Sequence, residues 1–278
     1  MSENSQLLPV HAPVSYDSGY ADPVLIAESS ISRLYKVSKA GKYFILKTAC
    51  DDSGRMMAMI RREYDISIGL DHPHIANVFT FEENTVVGPC MVMEYVDGRN
   101  LTEFLRENPS MSSRRRIAGQ LMDAVGYLHR KGVIHNDLKP ENILISRTDN
   151  SVKLLDFGLS DTDAYYLART MGCTAEYASP ELLRHESVDS RSDIYSLGLL
   201  LKDILGTRYS RIIKRCTEQN RDDRYADVDQ VIKAISHRYR PVYAALAVAC
   251  LVFLIWMAGN VVDEISEFRE FKTAEKER

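Results

Sequence analysis

The chain lacks the cysteine patterns that stabilise secreted domains or bind structural zinc. Its five cysteines are scattered, with no CxxC pair and an odd count, at positions Cys50, Cys90, Cys173, Cys216 and Cys250. A disulfide framework needs cysteines in even number, and a zinc site needs them closely spaced. The pattern therefore argues against both and favours a reducing compartment.

An excess of positive charge and a secretory signal are also missing. The formal net charge is -4, which argues against a general nucleic-acid binder. Residues 1–22 are polar and interrupted by Pro9, Pro13 and Gly19, so they do not form the apolar core of a signal peptide. We expect these residues to form a flexible N-terminal arm.

Residues 242–262 contain no charged side chain. At ~1.5 Å per residue, a helix of this length spans ~30 Å, the thickness of the hydrocarbon core of a bilayer. A buried core helix is the alternative, but such helices seldom stay apolar on every face at this length. We predict one transmembrane helix, followed by a short charged C-terminal tail over residues 263–278.

The stretch that dominates the sequence runs from Val133 to Gly158. It contains Asp137, Lys139 and Asn142 within six residues, and Asp156 follows a second strand-like run. Two carboxylates and an amide that converge on one cleft suit Mg²⁺, which prefers oxygen ligands and accepts phosphate oxygens as well. A nearby lysine can balance charge on a phosphoryl group in transfer.

This stretch resembles the catalytic core of the eukaryotic-like protein kinase family. The resemblance implies that Asp137 orients the substrate hydroxyl and accepts its proton, while Asn142 and Asp156 bind the metal. Lys139 stands in the DLKPEN form that is typical of serine/threonine-directed members. The implied cofactors are ATP and Mg²⁺, with Mn²⁺ as an alternative. Turn capping by Asp and Asn would explain either motif alone, but not both motifs in order.

One residue of the catalytic loop departs from the family, whose usual His-Arg-Asp reads His135-Asn136-Asp137 here. That arginine commonly pairs with a phosphate on the activation loop, which an asparagine cannot do. We therefore hypothesise that activity does not require phosphorylation of the activation loop.

The N-terminal part of the resemblance is a β-hairpin whose glycine-rich turn covers the ATP phosphates in the family. Alignment on Lys47 places the three glycine positions at Ala27, Ser29 and Ser32, so no glycine remains. Because glycine lets the backbone approach phosphate closely, we expect weaker or differently positioned nucleotide. An ordinary hairpin with a polar turn is the alternative for this segment taken alone.

The resemblance also assigns the rest of the nucleotide site. Lys47 would contact the α- and β-phosphates and pair with Glu63 from the following helix. The apolar face of that helix is predicted to contain Met59, Ile60, Tyr64 and Ile68. The remaining ATP-binding candidates, which line the pocket or form the hinge, are Leu34, Met93, Glu94 and Val96.

Three structural positions and one substrate-directed position follow the same resemblance. Glu181 is expected to pair with Arg224, and Asp193 to hold the backbone of the catalytic loop from below. Thr174 matches the threonine beside the catalytic aspartate that supports serine/threonine substrates. Only a few residues separate the helix that starts near Asp193 from the next helix, so a reduced C-terminal lobe is expected.

The predicted fold is α+β: a two-lobed protein kinase fold over residues 23–236, with a β-rich N-lobe and a mainly helical C-lobe, plus one transmembrane helix. The predicted function is a membrane-anchored serine/threonine protein kinase, with its kinase domain cytosolic and its short tail across the cell membrane. Expected partners are protein substrates, the membrane, and a membrane partner or a second copy, with no nucleic acid. A pseudokinase and a kinase of small molecules remain as alternatives, and the basic run Arg114–Arg116 is either a solvated face or a contact with anionic lipid.

Overall fold

The computed structural model describes residues 19–51, 54–156, 176–237 and 247–257. Contacts divide the chain into two compact units, Met1–Gln230 and Val231–Arg278. Most of the predicted N-terminal arm, the segment that contains Thr174, and the predicted tail lie outside the described residues.

The first unit begins with a five-stranded antiparallel sheet and one long helix, which together form the N-terminal lobe. The strand order is β1-β2-β3-β5-β4. Strand β1 begins at Ala21, within the range that the sequence suggested for the arm. The elements are β1 (Ala21–Glu28), β2 (Ser32–Lys39), β3 (Lys42–Ala49), α1 (Gly54–Ser67), β4 (Val78–Glu82) and β5 (Cys90–Glu94).

A two-residue turn joins β2 to β3. Its central residues, Ala40 and Gly41, have φ angles of 50° and 75°. Positive φ at both positions is the backbone of a type I′ hairpin turn, which suits the twist of paired strands. The turn fixes the register in which Leu34 lies opposite Lys47.

Helix α1 buries the predicted face at Ile60 and half-buries it at Met59 and Tyr64, but does not bury it at Ile68. Its buried residues are Met56, Ile60, Glu63 and Ser67, whereas Ile68 is 43% exposed. Ile68 lies beyond the last residue of the helix, so the period of 3.6 no longer places its side chain on the buried face. The prediction for this face was therefore right at Ile60 and wrong at Ile68.

The C-terminal lobe is mainly helical and has one small sheet of order β6-β7-β8. Its buried centre comes largely from α3 and α5, which bury Leu121, Leu128, Leu197 and Leu201 completely. The elements are β6 (Gly98–Asn100), α2 (Leu101–Arg106), α3 (Met111–Arg130), β7 (Ile143–Ser146), β8 (Val152–Leu154), α4 (Pro180–Leu183), α5 (Ser190–Leu205), α6 (Ser210–Cys216) and α7 (Val228–His237), with 3₁₀ turns at Pro140–Asn142, Gly206–Tyr209 and Arg221–Asp223.

The C-terminal lobe is reduced, as predicted. Only the single turn Gly206–Tyr209 separates α5 from α6. The two helices approach so closely that a Cβ atom on Gly198 would lie 2.5 Å from the Cβ of Cys216. Glycine at this position is therefore required by helix packing, and no further helix intervenes.

Two side chains of the basic run contact carbonyl oxygens of the same lobe. The Arg114 guanidinium donates to the carbonyl oxygens of Pro109 and Ile204, and Arg116 donates to those of Asp149 and Asn150. These contacts give both arginines a structural role and weaken the alternative in which the run binds anionic lipid.

The second unit contains the end of α7 and a helix, α8, over residues 247–257. Every residue of α8 is exposed, including Phe253, Leu254 and Trp256. Among the residues that the structure describes, no helix has the length and apolar character needed to cross a membrane. Residues 242–246 and 258–262 of the predicted span lie outside the described ranges.

Candidate active site

A buried lysine links the N-terminal sheet to the candidate metal-binding end of the C-terminal lobe. The Lys47 ammonium lies 2.7 Å from one carboxylate oxygen of Glu63 and 2.8 Å from Oδ1 of Asp156. The side chains of Lys47 and Glu63 are 5% and 3% exposed, whereas that of Asp156 is 41% exposed. The predicted pairing of Lys47 with Glu63 is thus present, and Asp156 completes a cluster that opens toward solvent.

The neighbouring carboxylates keep Lys47 charged despite its burial. Burial alone would lower the pKa of the ammonium group, but Asp156 and Glu63 outweigh that effect and raise the pKa above its ordinary value. Lys47 is therefore a permanent positive charge at neutral pH, suited to bind a phosphate oxygen.

The catalytic-loop side chains form a second cluster around Asp137. The Lys139 ammonium donates to Oδ2 of Asp137 at 2.6 Å. The amide nitrogen of Asn142 donates to the same oxygen and to the main-chain oxygen of Asp137, both at 2.9 Å. Burial raises the pKa of the Asp137 carboxyl above its ordinary value, and Lys139 partly opposes that rise. A carboxylate with a raised pKa is a better proton acceptor for a hydroxyl nucleophile.

Asp193 holds the backbone of this loop, as the sequence predicted. Its carboxylate accepts hydrogen bonds from the amide groups of His135 at 2.8 Å and Asn136 at 2.9 Å. The ring of His129 lies 2.9 Å from the same carboxylate. Asn136 has a φ of 61°, a left-handed conformation that asparagine tolerates better than most residues. The hydrogen bonds from these two backbone amides to Asp193 hold Asn136 in that conformation, directly before Asp137.

The donor set of Asn142 and Asp156 fits a magnesium ion. Pairing of β7 with β8 brings the two residues together, since the Leu155 amide donates to the Asn142 carbonyl oxygen at 2.8 Å. The Asn142 side chain donates its nitrogen to Asp137, so its amide oxygen would be available to a metal ion. No group of three or more His, Cys, Asp or Glu that could hold a metal occurs in the described part of the chain. A site with few protein ligands suits Mg²⁺, which keeps several waters and adds phosphate oxygens.

The remaining nucleotide-site candidates lie on the strands around this cleft. Met93 is buried on β5, Leu34 lies opposite both Ala27 and Lys47, and Val96 is partly buried after β5. The other two candidates, Ser29 and Ser32, flank the turn between β1 and β2.

Lys153, a residue that the sequence did not single out, connects the hinge to the C-terminal lobe. The Glu94 carboxylate accepts from the Lys153 ammonium and from the Asn77 amide, both at 3.0 Å. The only signal in the sequence was a charged residue inside the apolar run VKLL, and its partner is 59 positions away. The pair ties the end of β5 to β8.

The predicted pair of Glu181 and Arg224 is present and fully buried. The guanidinium binds both carboxylate oxygens, at 2.7 and 2.8 Å, and the Ser192 hydroxyl donates to the first of them at 2.6 Å. Burial alone would raise the pKa of Glu181, but these hydrogen bonds lower it to about 2. The position of Thr174 lies outside the described residues.

Comparisons with known proteins agree with this geometry. The chain matches the family described as the protein kinase domain over residues 25–258. It is 42% identical over 155 residues to the serine/threonine-protein kinase PknB of Mycobacterium leprae (strain TN), covering 52% of this chain and 25% of that protein. It is 35% identical over 185 residues to the probable serine/threonine-protein kinase SCO3848 of Streptomyces coelicolor, covering 62% of this chain and 27% of that protein.

A similar share is matched in Bifidobacterium longum, whose probable serine/threonine-protein kinase PknB is 36% identical over 167 residues, 55% of this chain and 24% of that protein. The matched region therefore spans about a quarter of the length of these curated relatives.

Proposed function

This chain belongs to the protein kinase domain family. We propose that it is a serine/threonine kinase, which transfers the γ-phosphoryl group of ATP to serine or threonine hydroxyls of proteins. The observation that carries the proposal is the ion pair between Lys47 Nζ and Asp156 Oδ1, at 2.8 Å. It places a cation beside a carboxylate that would bind the metal. In phosphoryl transfer these two groups must be in place together.

Each residue then has a chemical task in the proposed reaction. Asp137 orients the acceptor hydroxyl and receives its proton, and Lys139 stabilises the charge on the transferring group. Asn142 and Asp156 would hold Mg²⁺, or Mn²⁺ as an alternative, which neutralises charge on the phosphate oxygens when bound. Lys47 binds the phosphates, and Glu63 fixes the direction of its side chain.

Transfer of radiolabelled phosphate by the purified full chain in detergent micelles tests the proposal. We expect phosphoserine or phosphothreonine on the chain itself or on casein, in the presence of Mg²⁺ or Mn²⁺. Asp137→Asn removes the proton acceptor with little change of shape, and should lower the rate by about 10²–10⁴-fold. Asp123→Asn, which alters an exposed carboxylate on α3, serves as the matched control and should leave the rate unchanged.

Other outcomes of this assay point to the alternatives. A chain that ATP stabilises against heat, but that transfers no phosphate, would be a nucleotide-binding pseudokinase. The complete Lys47, Glu63, Asp137, Asn142 and Asp156 geometry argues against that alternative. Transfer to a metabolite but to no protein would indicate a small-molecule kinase.

We further propose that the apolar run over residues 242–262 anchors the enzyme in the cell membrane as a single-pass helix. Its uncharged length supports the proposal, as does α8, the described part, whose apolar side chains are all exposed. Since ATP is cytosolic, the kinase domain would face the cytosol and the tail would lie on the far side. Protein substrates, and a membrane partner or a second copy, would then meet the kinase at the membrane surface.

Extraction of cell membranes at alkaline pH tests the anchor. The full chain should remain in the membrane pellet, and Leu254→Arg should move a large fraction into the supernatant because a charge near the bilayer centre is costly. Tyr43→Arg introduces the same charge at an exposed position of the β2–β3 hairpin and should leave the chain in the pellet. Complete extraction of the unaltered chain would contradict the anchor.

A further inference from the structure

In the turn between β1 and β2, here called the serine turn (Ser29 to Ser32), three of the four amide groups donate to acceptors within the turn. The amide of Ser29 donates to the Ser32 carbonyl oxygen at 2.9 Å. The Ser29 hydroxyl oxygen accepts from the amides of Ile31 at 3.2 Å and Ser32 at 3.0 Å. The Ser30 amide alone has no acceptor in the described part of the chain. One side-chain oxygen therefore occupies two backbone donors of the turn.

The carbonyl side of the serine turn is held by Cys50, the residue that follows β3. The Cys50 amide donates to the Ile31 carbonyl oxygen at 3.0 Å, which continues the β2–β3 pairing. The Cys50 thiol lies 3.0 Å from the Ser30 carbonyl oxygen and 3.2 Å from the sulfur of Met56. Since a thiol has one proton, it serves one of these two acceptors at a time. The conformation of the turn is thus held by hydrogen bonds to the Ser29 hydroxyl and by hydrogen bonds from Cys50.

The serine turn borders the proposed phosphate position. Ser32 lies opposite Ala49, and Leu34 lies opposite Lys47, two residues further along the same strand pair. Two residues of strand correspond to ~7 Å. The turn is therefore within reach of phosphates bound by the Lys47 ammonium.

We propose that Ser29 limits the affinity of this kinase for nucleotide phosphates by occupying the amide groups of Ile31 and Ser32. Successive backbone amides at a turn form an anion-binding concavity when they are free. Here a phosphate must compete with the Ser29 hydroxyl for two of them. The inference rests on the proposed function, since it requires ATP to bind beside Lys47.

Calorimetric titration of the full chain with Mg-ATP and, separately, with adenosine tests this role. Ser29→Ala removes the internal acceptor and leaves both amides in place, so the Kd for Mg-ATP should fall by about tenfold, the equivalent of one hydrogen bond to a charged acceptor. Adenosine has no phosphate, so its Kd should stay within about twofold. Ser29→Thr retains the hydroxyl and should bind Mg-ATP as the unaltered chain does.

Ser151→Ala is the matched control, because Ser151 closes a turn through Asp149 on the opposite lobe. It should change neither Kd. Should Ser29→Ala fail to fold, Ser29→Gly removes the same oxygen and carries the same expectation. Equal or weaker binding of Mg-ATP by the folded variant would overturn the role of Ser29, as would an equal gain for adenosine. If neither the unaltered chain nor the variant binds Mg-ATP, the proposed function fails together with this inference.

Discussion

Two buried ion pairs lie in the kinase domain, and they differ in how many hydrogen bonds the cation of each pair makes with the protein. Arg224 and Glu181, 0% and 3% exposed, bind through two parallel hydrogen bonds. The guanidinium also donates to main-chain oxygens of Glu218, Gln219 and Arg191. Lys47 instead divides its ammonium between Glu63 and a half-exposed Asp156.

The difference separates a structural pair from a functional one. All the N–H groups of the Arg224 guanidinium donate to protein acceptors, so none is left for a ligand. The Lys47 cluster is closed on the Glu63 side and opens to solvent at Asp156, where phosphate and metal can enter. Burial and charge alone do not distinguish the pairs, but the bonding of each partner does.

The largest expected effect is on catalysis, when the open pair is broken. Lys47→Met removes the phosphate-binding cation and the link to Asp156, and should lower kcat/KM for phosphate transfer by about 10³–10⁴-fold. Steady-state assays with labelled ATP measure the loss. Lys153→Met is the matched control, since it breaks a lysine–glutamate pair at the hinge and should cost about tenfold or less.

A Lys47→Met variant that retains a tenth of the activity would break the comparison, because the open pair would then be structural as well. A Lys47→Met variant that neither binds ATP nor transfers phosphate, yet unfolds at the same temperature as the unaltered chain without nucleotide, would support the distinction between the two pairs.

The next effect is on stability, when the closed pair is broken. Arg224→Met leaves the Glu181 carboxylate buried without its partner, and should lower the free energy of unfolding by about 3–5 kcal/mol. Urea denaturation followed by circular dichroism measures the change. Arg184→Met removes an arginine from an exposed pair with Glu186 and should cost less than about 1 kcal/mol. A similar loss of unfolding free energy in the two variants would contradict the idea that the buried, fully hydrogen-bonded pair contributes more to stability than the exposed pair.

Both pairs could be predicted from the sequence, because the family motifs fix which charges meet and charged partners have few alternatives. The reduced lobe was also predictable, since the short spacer between its two helices is visible in the sequence. Contacts that depend on exact placement were not predictable. The buried face of α1 depends on where the helix ends, and the Ser29 hydrogen bonds depend on the shape of a turn that motif alignment treats only as missing glycine.

A smaller effect should appear in the pH dependence of stability, through Glu181. Its pKa is about 2 in the folded chain and 4.5 ordinarily. Because the folded-state pKa is depressed, the stabilising contribution is complete above about pH 5 and is lost as the pH falls from about 5 to 2. The full difference corresponds to about 3 kcal/mol. Urea unfolding at several pH values measures the slope.

Glu181→Gln removes the titrating group, so the variant should show a correspondingly shallower loss of stability below pH 5. An unchanged slope would mean that other carboxylates dominate acid unfolding and that the closed pair contributes little. Lys47 provides the contrast, since its raised pKa keeps it charged throughout this range.

The smallest expected effect concerns a charge pair that the family uses and this chain lacks. Asn136 replaces the arginine that would bind an activation-loop phosphate, and its buried side-chain amide has no hydrogen-bond partner among the described residues. Without that cation, a phosphate on the loop gains no buried partner at this position. Replacing Thr170 by valine and Tyr165 and Tyr166 by phenylalanine should therefore leave the transfer rate within about twofold of the unaltered chain.

The same three replacements in an Asn136→Arg background give the informative contrast. If arginine restores the missing pair, activity in that background should become dependent on the phosphorylatable residues, whereas the native background stays independent of them. Loss of turnover in the native background, in a chain that still unfolds cooperatively, would show that the loop phosphate acts through another cation. The loop phosphate would then form a third ion pair, separate from the two buried ones. The hydrogen bonds to Asp193 alone would not suffice to hold the catalytic loop in its active conformation.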